Sequence, residues 1–80
     1  VYANMGHAYT GIRKYDDAIK CYSRAIEITP TAMDAYFYRG NAYLQINNKD
    51  KACESYTKSA EFGFDPAIVA LEKICGKKIK

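Results

Sequence analysis

His7 is the single histidine in this 80-residue chain, so a two-histidine metal site cannot be built from these residues alone. A Cys/His nucleophilic pair would need Cys21, Cys53 or Cys75 to reach it. Helical periodicity places Cys21 and Cys53 on different helices from His7, and Cys75 falls at the far end of the chain. Asp16, Asp17 and Glu27 fall near helix ends, where carboxylates complement the helix dipole rather than work as a paired acid and base. The five glycines, at 6, 11, 40, 63 and 76, are dispersed and form no phosphate-cradling loop. No catalytic residue, metal ligand or cofactor is assigned, and the protein is expected to be non-enzymatic.

The three cysteines are an odd number with no C-x-x-C pair, which suggests neither a disulfide framework nor a paired-thiolate zinc site. Reduced, buried or half-buried thiols are the expectation, with one disulfide among the three as the alternative. A reducing, cytoplasmic compartment fits that expectation. The net charge of +3 belongs to Lys77, Lys78 and Lys80, so the first 76 residues sum to zero. Nucleic-acid binding wants a basic stripe across a folded face, and a membrane surface wants more than three terminal lysines, so neither partner is expected. At 49% hydrophobic and 14% aromatic the chain is too apolar for disorder. No apolar run approaches the roughly 20 residues that span a bilayer. The chain opens Val1-Tyr2-Ala3 without an initiator Met and is already in pattern at its second residue, which suggests a piece of a longer or processed protein.

The elements that must position these residues come from an internal repeat. At an offset of 34 residues, Tyr2, Gly6, Ala8, Tyr9, Ile12, Asp16, Ala18, Tyr22 and Glu27 fall on Tyr36, Gly40, Ala42, Tyr43, Ile46, Asp50, Ala52, Tyr56 and Glu61. Nine identities among 32 aligned pairs exceed the roughly two expected from ordinary composition. Tyr2, Met5, Gly6 and Tyr9 share one face of a helix. Glycine inside a helix costs about 1 kcal/mol against alanine, so its return at Gly40 predicts another helix passing too close for a Cβ. Ala8, Ala18, Ala25, Ala42 and Ala52 extend this small-residue seam, and Tyr9, Tyr22, Tyr43 and Tyr56 supply the bulk beside it. Each unit is a helical hairpin. The first has a turn at Gly11 to Lys14, a second helix from Tyr15 to Ile28, and an end at Thr29-Pro30-Thr31. The second runs from about Ala32 to Ile46, turns at Asn47-Asn48-Lys49 and continues from about Asp50 to Phe62. A last helix follows, with Asp65 as its N-cap, Pro66 at its first position, and Gly76 as its stop. Its glycine position holds Ile74, so it reads as a C-terminal capping helix.

These residues resemble the tetratricopeptide repeat family. The family pattern appears as Tyr2-x-x-Met5-Gly6-x-x-Tyr9, Ala18-x-x-x-Tyr22 and Pro30, then as Tyr36-x-x-Arg39-Gly40-x-x-Tyr43 and Ala52-x-x-x-Tyr56. Arg39 departs from it where an apolar residue is usual, Phe64 where the closing proline should be, and Ser59 where the first unit has Ala25. The sister family of helical repeats that reads RNA has a 35-residue period and lacks this signature. The resemblance implies an all-α fold, a right-handed superhelical solenoid of two hairpins and a cap. The domain would run over 1–76, with repeats at about 1–32 and 33–64, a cap at about 65–76 and a basic tail at 77–80.

The resemblance also implies a scaffold whose first helices line a concave groove that binds a peptide segment of a partner protein. The groove positions carried over are Ala3, His7 and Thr10, then Asp34, Phe37, Asn41 and Leu44, with Tyr38 at the edge. Phe37 and Leu44, two helical turns apart, suit a mostly apolar peptide, while the other reading packs them under neighbouring repeats outside this sequence. Some family members grip the terminal carboxylate of a heat-shock chaperone tail with lysines, an arginine and asparagines. Here those cationic positions fall on Ala3, Ile68 and Glu72 and the asparagine positions on His7 and Tyr38. A shifted register that matches Asn4 puts Asp34 and Tyr38 in the basic places, so chaperone-tail binding is not expected. The alternative to a peptide-binding module is a structural or self-associating stretch of a longer solenoid. Homodimerisation would use an uncovered N-terminal face around Val1, Tyr2 and Met5.

Overall fold

The computed structural model describes residues 2–76, and of Tyr2 the backbone alone. The basic tail at 77–80, Val1 and the expected core placement of the Tyr2 side chain lie outside the described residues. Five helices follow one another: α1 (Tyr2–Gly11), α2 (Tyr15–Ile28), α3 (Met33–Gln45), α4 (Lys49–Glu61) and α5 (Asp65–Cys75). No strand occurs among the described residues. Each helix packs chiefly on the next, and the result is a slab of 32 × 26 × 16 Å. The fold is an all-α helical-repeat solenoid.

Three of the four connections use the same device. After α1, Lys14 N–H reaches Tyr9 O at 2.9 Å and Arg13 N–H reaches Thr10 O at 3.0 Å. One repeat later Asn48 N–H reaches Tyr43 O at 2.9 Å and Asn47 N–H reaches Leu44 O at 3.1 Å. These are paired Schellman bonds around a residue in left-handed conformation, Arg13 at φ 64° and Asn47 at φ 64°. The end of α4 repeats the device with Gly63 at φ 89°, Phe64 N–H reaching Ser59 O and Gly63 N–H reaching Ala60 O. Only α2 ends otherwise, at Thr29-Pro30. Phe64 therefore replaces the closing proline because a glycine-based turn ends this helix instead. Phe64, not Asp65, is the N-cap of α5, and it makes no side-chain capping bond. Asp65 is the first helical residue and Pro66 the second. Gly76 closes α5 in left-handed conformation.

Ala18, Tyr22, Ala35, Ala42, Ala52, Tyr56, Ala60, Ala67 and Leu71 are buried. A Cβ on Gly6 would lie 2.5 Å from a ring carbon of Tyr22, and one on Gly40 would lie 2.8 Å from Tyr56 and 3.1 Å from Ala52 O. The two glycines thus seat the tyrosine ring of the partner helix in each hairpin, as the recurrence predicted. The seam does not extend to Ala8, which is exposed while its counterpart Ala42 is buried. α3 lays this face on α2, whereas no element among the described residues covers the equivalent face of α1.

The two polar departures from the repeat pattern are each satisfied. Arg39 Nε donates to Ser55 Oγ at 3.1 Å and Nη1 donates to Ser23 Oγ at 3.2 Å, and its guanidinium lies over the Tyr36 ring at 5.3 Å. The arginine therefore bridges α2, α3 and α4. Ser59, fully buried, donates to Met33 O at 2.7 Å, which removes the cost of an unpaired hydroxyl. The cysteines correct the sequence expectation. Cys53 and Cys75 are joined by a disulfide across a Cα–Cα distance of 6.0 Å, and only Cys21 is a free, buried thiol. The expectation of a reducing compartment loses its premise at two of the three positions. No helix among the described residues is long and apolar enough to cross a membrane.

Candidate functional site

The first helices of the hairpins carry almost no charge, so their outward faces are built from rings and small polar groups. His7 and Asn41 occupy the same repeat position, and each hydrogen-bonds the hydroxyl of the buried tyrosine of its own hairpin. Tyr22 Oη lies 2.9 Å from His7 Nδ1, and Tyr56 Oη donates to Asn41 Oδ1 at 2.5 Å. The Thr10 hydroxyl donates to Gly6 O at 2.8 Å, which commits its proton. Tyr22 Oη lies a further 3.4 Å from the Thr10 hydroxyl, so the phenol sits between His7 and Thr10. Burial raises the ionisation point of both Tyr22 and Tyr56 above the ordinary tyrosine value, because a phenolate would be poorly solvated between the helices.

Rings continue the surface from one hairpin to the next. His7 meets Tyr38 edge-on at 4.5 Å, Tyr38 stacks on Tyr22 at 6.0 Å, and Phe37 meets Tyr38 at 5.3 Å. Phe37 then packs against Tyr56 at 5.8 Å and Phe64 at 5.4 Å. His7 is exposed; Thr10, Phe37, Tyr38, Asn41 and Leu44 are half-buried. Phe37 and Leu44 also pack against the cluster of Ala52, Tyr56, Ala60, Ala67 and Leu71 beneath α5. They are a wall of the core as well as positions on the first-helix face. Asp34 stands one helical turn before Phe37 and Tyr38 on α3, and it and Ala3 also border a cavity of about 750 Å³ between the N-termini of α1 and α3 and the C-terminus of α2, with Met5, Ala25 and Ile28.

Of the eight positions singled out, the structure joins His7, Thr10, Phe37, Tyr38 and Asn41 in one hydrogen-bonded and ring-stacked row. It places Leu44 toward α5, and Ala3 with Asp34 at the first-turn cavity. Sequence reading missed the hydroxyls of Tyr22 and Tyr56, which reach the row from the second helices. The signal was available, since the repeat pattern accepts a ring at that position and a hydroxyl on it demands a partner when buried. At the groove position Asn41, the side-chain carbonyl oxygen accepts from the Tyr56 hydroxyl. No group of three or more His, Cys, Asp or Glu able to hold a metal ion occurs among the described residues.

Comparison with known proteins bears on the repeat. The profile described as TPR repeat matches residues 6–47, and that described as tetratricopeptide repeat matches residues 33–62. The small glutamine-rich tetratricopeptide repeat-containing protein 2 of Saccharomyces cerevisiae is 31% identical over 72 residues, 90% of this chain and 21% of that protein. The heat shock protein STI1 of the same yeast is 30% identical over 61 residues, 76% of this chain and 10% of that protein. The mitochondrial import receptor subunit TOM70 of Rattus norvegicus is 33% identical over 63 residues, 72% of this chain and 10% of that protein. The chain thus spans only about a tenth to a fifth of these relatives. With just over half of its residues matched to one profile and the second hairpin matched to another, the chain belongs to the tetratricopeptide repeat family.

Proposed function

We propose that the protein is a non-enzymatic interaction module that receives a segment of a partner protein along the first-helix face, over His7, Thr10, Phe37, Tyr38, Asn41 and Leu44, with Ala3 and Asp34 at one margin. The observation that carries this reading is the row of rings from His7 through Tyr38 and Phe37 to Phe64, spanning both hairpins without a charged side chain. Such a surface offers flat apolar contact at low conformational cost, with polar groups at intervals to fix a segment's register. The domain limits are those of the repeat, 1–32, 33–64 and 65–76, read as one unit.

The alternative, a structural or self-associating stretch of a solenoid, is favoured by one observation: Ala8 is exposed and Met5 is 43% exposed on α1, where the equivalent α3 face is covered. A site-specific photo-crosslinker separates the two. Placed at Thr10 on the first-helix face, it should capture a segment of a different protein, and placed at Lys20 on α2 it should capture nothing. Equal capture from both positions refutes the groove. Adducts consisting only of a second copy of this chain establish the alternative.

A further inference from the structure

Arg39 and Asp34 are the only charged side chains on α1 and α3. Arg39 is drawn to the opposite side by Ser23 and Ser55, which leaves the exposed Asp34 carboxylate as the one charge on those two helices available to a ligand. On α5, Glu72 lies one turn beyond Ile68 on the same face, and Ile68 packs against the cluster that Phe37 and Leu44 also join. Glu72 lies 34 residues after Tyr38, at its repeat position, and is exposed. The other cations of the described residues lie on α2, α4, their turns and the last turn of α5. Asp34 thus stands one helical turn before Phe37 and Tyr38, Glu72 holds the repeat position of Tyr38 on α5, and α1 and α3 carry no cation but the serine-bonded Arg39.

Resting on the groove reading above, we infer that the ligand is a cationic segment, with lysine or arginine spaced among apolar residues, held by Asp34 and Glu72 at its ends and by the faces of Tyr38 and Phe37 between them. Charge complementarity selects it. A guanidinium or ammonium gains from both carboxylate and ring faces, while an acidic segment would meet two like charges with no compensating donor. Carboxylates at the rim act chiefly on selectivity and encounter rate, and the apolar row supplies the retention.

The test is selection of a randomised 12-residue phage-displayed peptide library on the whole chain, followed by fluorescence anisotropy with the synthetic winner. Enriched peptides should carry excess Lys and Arg beside Leu, Phe or Tyr. Exchanging those cations for glutamate in the winner should weaken binding by about tenfold or more, and the Asp34→Asn, Glu72→Gln double variant should weaken the cationic winner by about fivefold at unchanged melting temperature. Enrichment of acidic or uncharged peptides, or a double variant that binds the winner unchanged, overturns the inference. If an uncharged winner still shifts the NMR signals of His7, Tyr38 and Asn41, the cationic ligand is refuted and the groove reading survives. No enrichment, or shifts confined to α2 and α4, refutes both.

Discussion

Breaking the Cys53–Cys75 bond is the perturbation with the largest effect that can be worked from the structure. The bridge ties the first turns of α4 to the last residue of α5 across a sequence separation of 22. In the chain-entropy treatment, a loop of that length removes about 3.4 kcal/mol from the freedom of the unfolded chain. A chain of 80 residues has a net stability of roughly 4–12 kcal/mol, so the bridge accounts for a large share of it. At about 4–8 °C per kcal/mol for a domain of this size, reduction should lower the melting temperature by about 15–25 °C. The loss should also be local. Ala67 and Leu71 bury α5 in the cluster it shares with α4, but α5 is the terminal described element, packed chiefly on α4. Its amides should lose hydrogen-exchange protection before those of α2 and α3. The assay is thermal unfolding by circular dichroism with and without reductant, alongside the Cys53→Ser, Cys75→Ser double variant. Alkylation counted by mass should find no reactive thiol in the oxidised fold, because Cys21 is buried, and two after reduction. A melting temperature that stays within about 2 °C when both thiols are shown to be free would refute the reasoning.

Three further outcomes follow from the packing and the turns. Gly40→Ala should destabilise despite a helix-propensity gain of about 1 kcal/mol, because the new Cβ meets the Tyr56 ring and Ala52 O and overpacking costs about 1–3 kcal/mol; Gly11→Ala, with nothing near its Cβ, should be neutral or stabilising in the same urea titration. Arg13→Gly should raise the urea midpoint by the equivalent of about 0.5–1 kcal/mol, since a non-glycine residue at φ 64° is strained where the other two turns use Asn47 and Gly63; an unchanged midpoint would count against the turn assignment. Tyr22 and Tyr56 ionise above pH 10 in the fold because burial opposes the phenolate. The unfolded chain therefore loses these protons first, and the stability they contribute is present below about pH 10 and is lost as pH rises through the folded values. Stability followed by urea from pH 8 to 11.5 should fall, and the fall should be shallower in Tyr56→Phe.

The architecture was legible because the repeat states each packing rule twice. Gly6 and Gly40, each facing a tyrosine 16 residues on in the next helix, announced a close crossing that no single occurrence could have established, and the helix limits follow to within a residue for the same reason. What was not legible is where the two copies differ in their surroundings. Ala8 and Ala42 are identical in sequence, yet one is exposed and the other buried, because burial depends on the preceding helix and the pattern of a single hairpin contains no information about its neighbour. Arg39 looked like an isolated departure until Ser23 and Ser55 supplied its acceptors; the three residues are 16 apart on either side of the arginine, a spacing that has meaning only once α2, α3 and α4 are stacked. The disulfide follows the same logic. Cys53 and Cys75 carry no spacing signature, and only the folding of α5 back along α4 brings their Cα atoms to 6.0 Å. At the candidate site the difference is chemical rather than geometric. The register put His7 and Asn41 at the same position of their hairpins, but a residue's position does not decide whether its polar atoms are free. The buried hydroxyls of Tyr22 and Tyr56 must be paired at a cost of roughly 1–3 kcal/mol if they are not, and they claim the nearest partners first. His7 Nδ1 and Asn41 Oδ1 are thus engaged within their own hairpins, whereas the ring faces of Tyr38 and Phe37 have no such buried hydroxyl to satisfy.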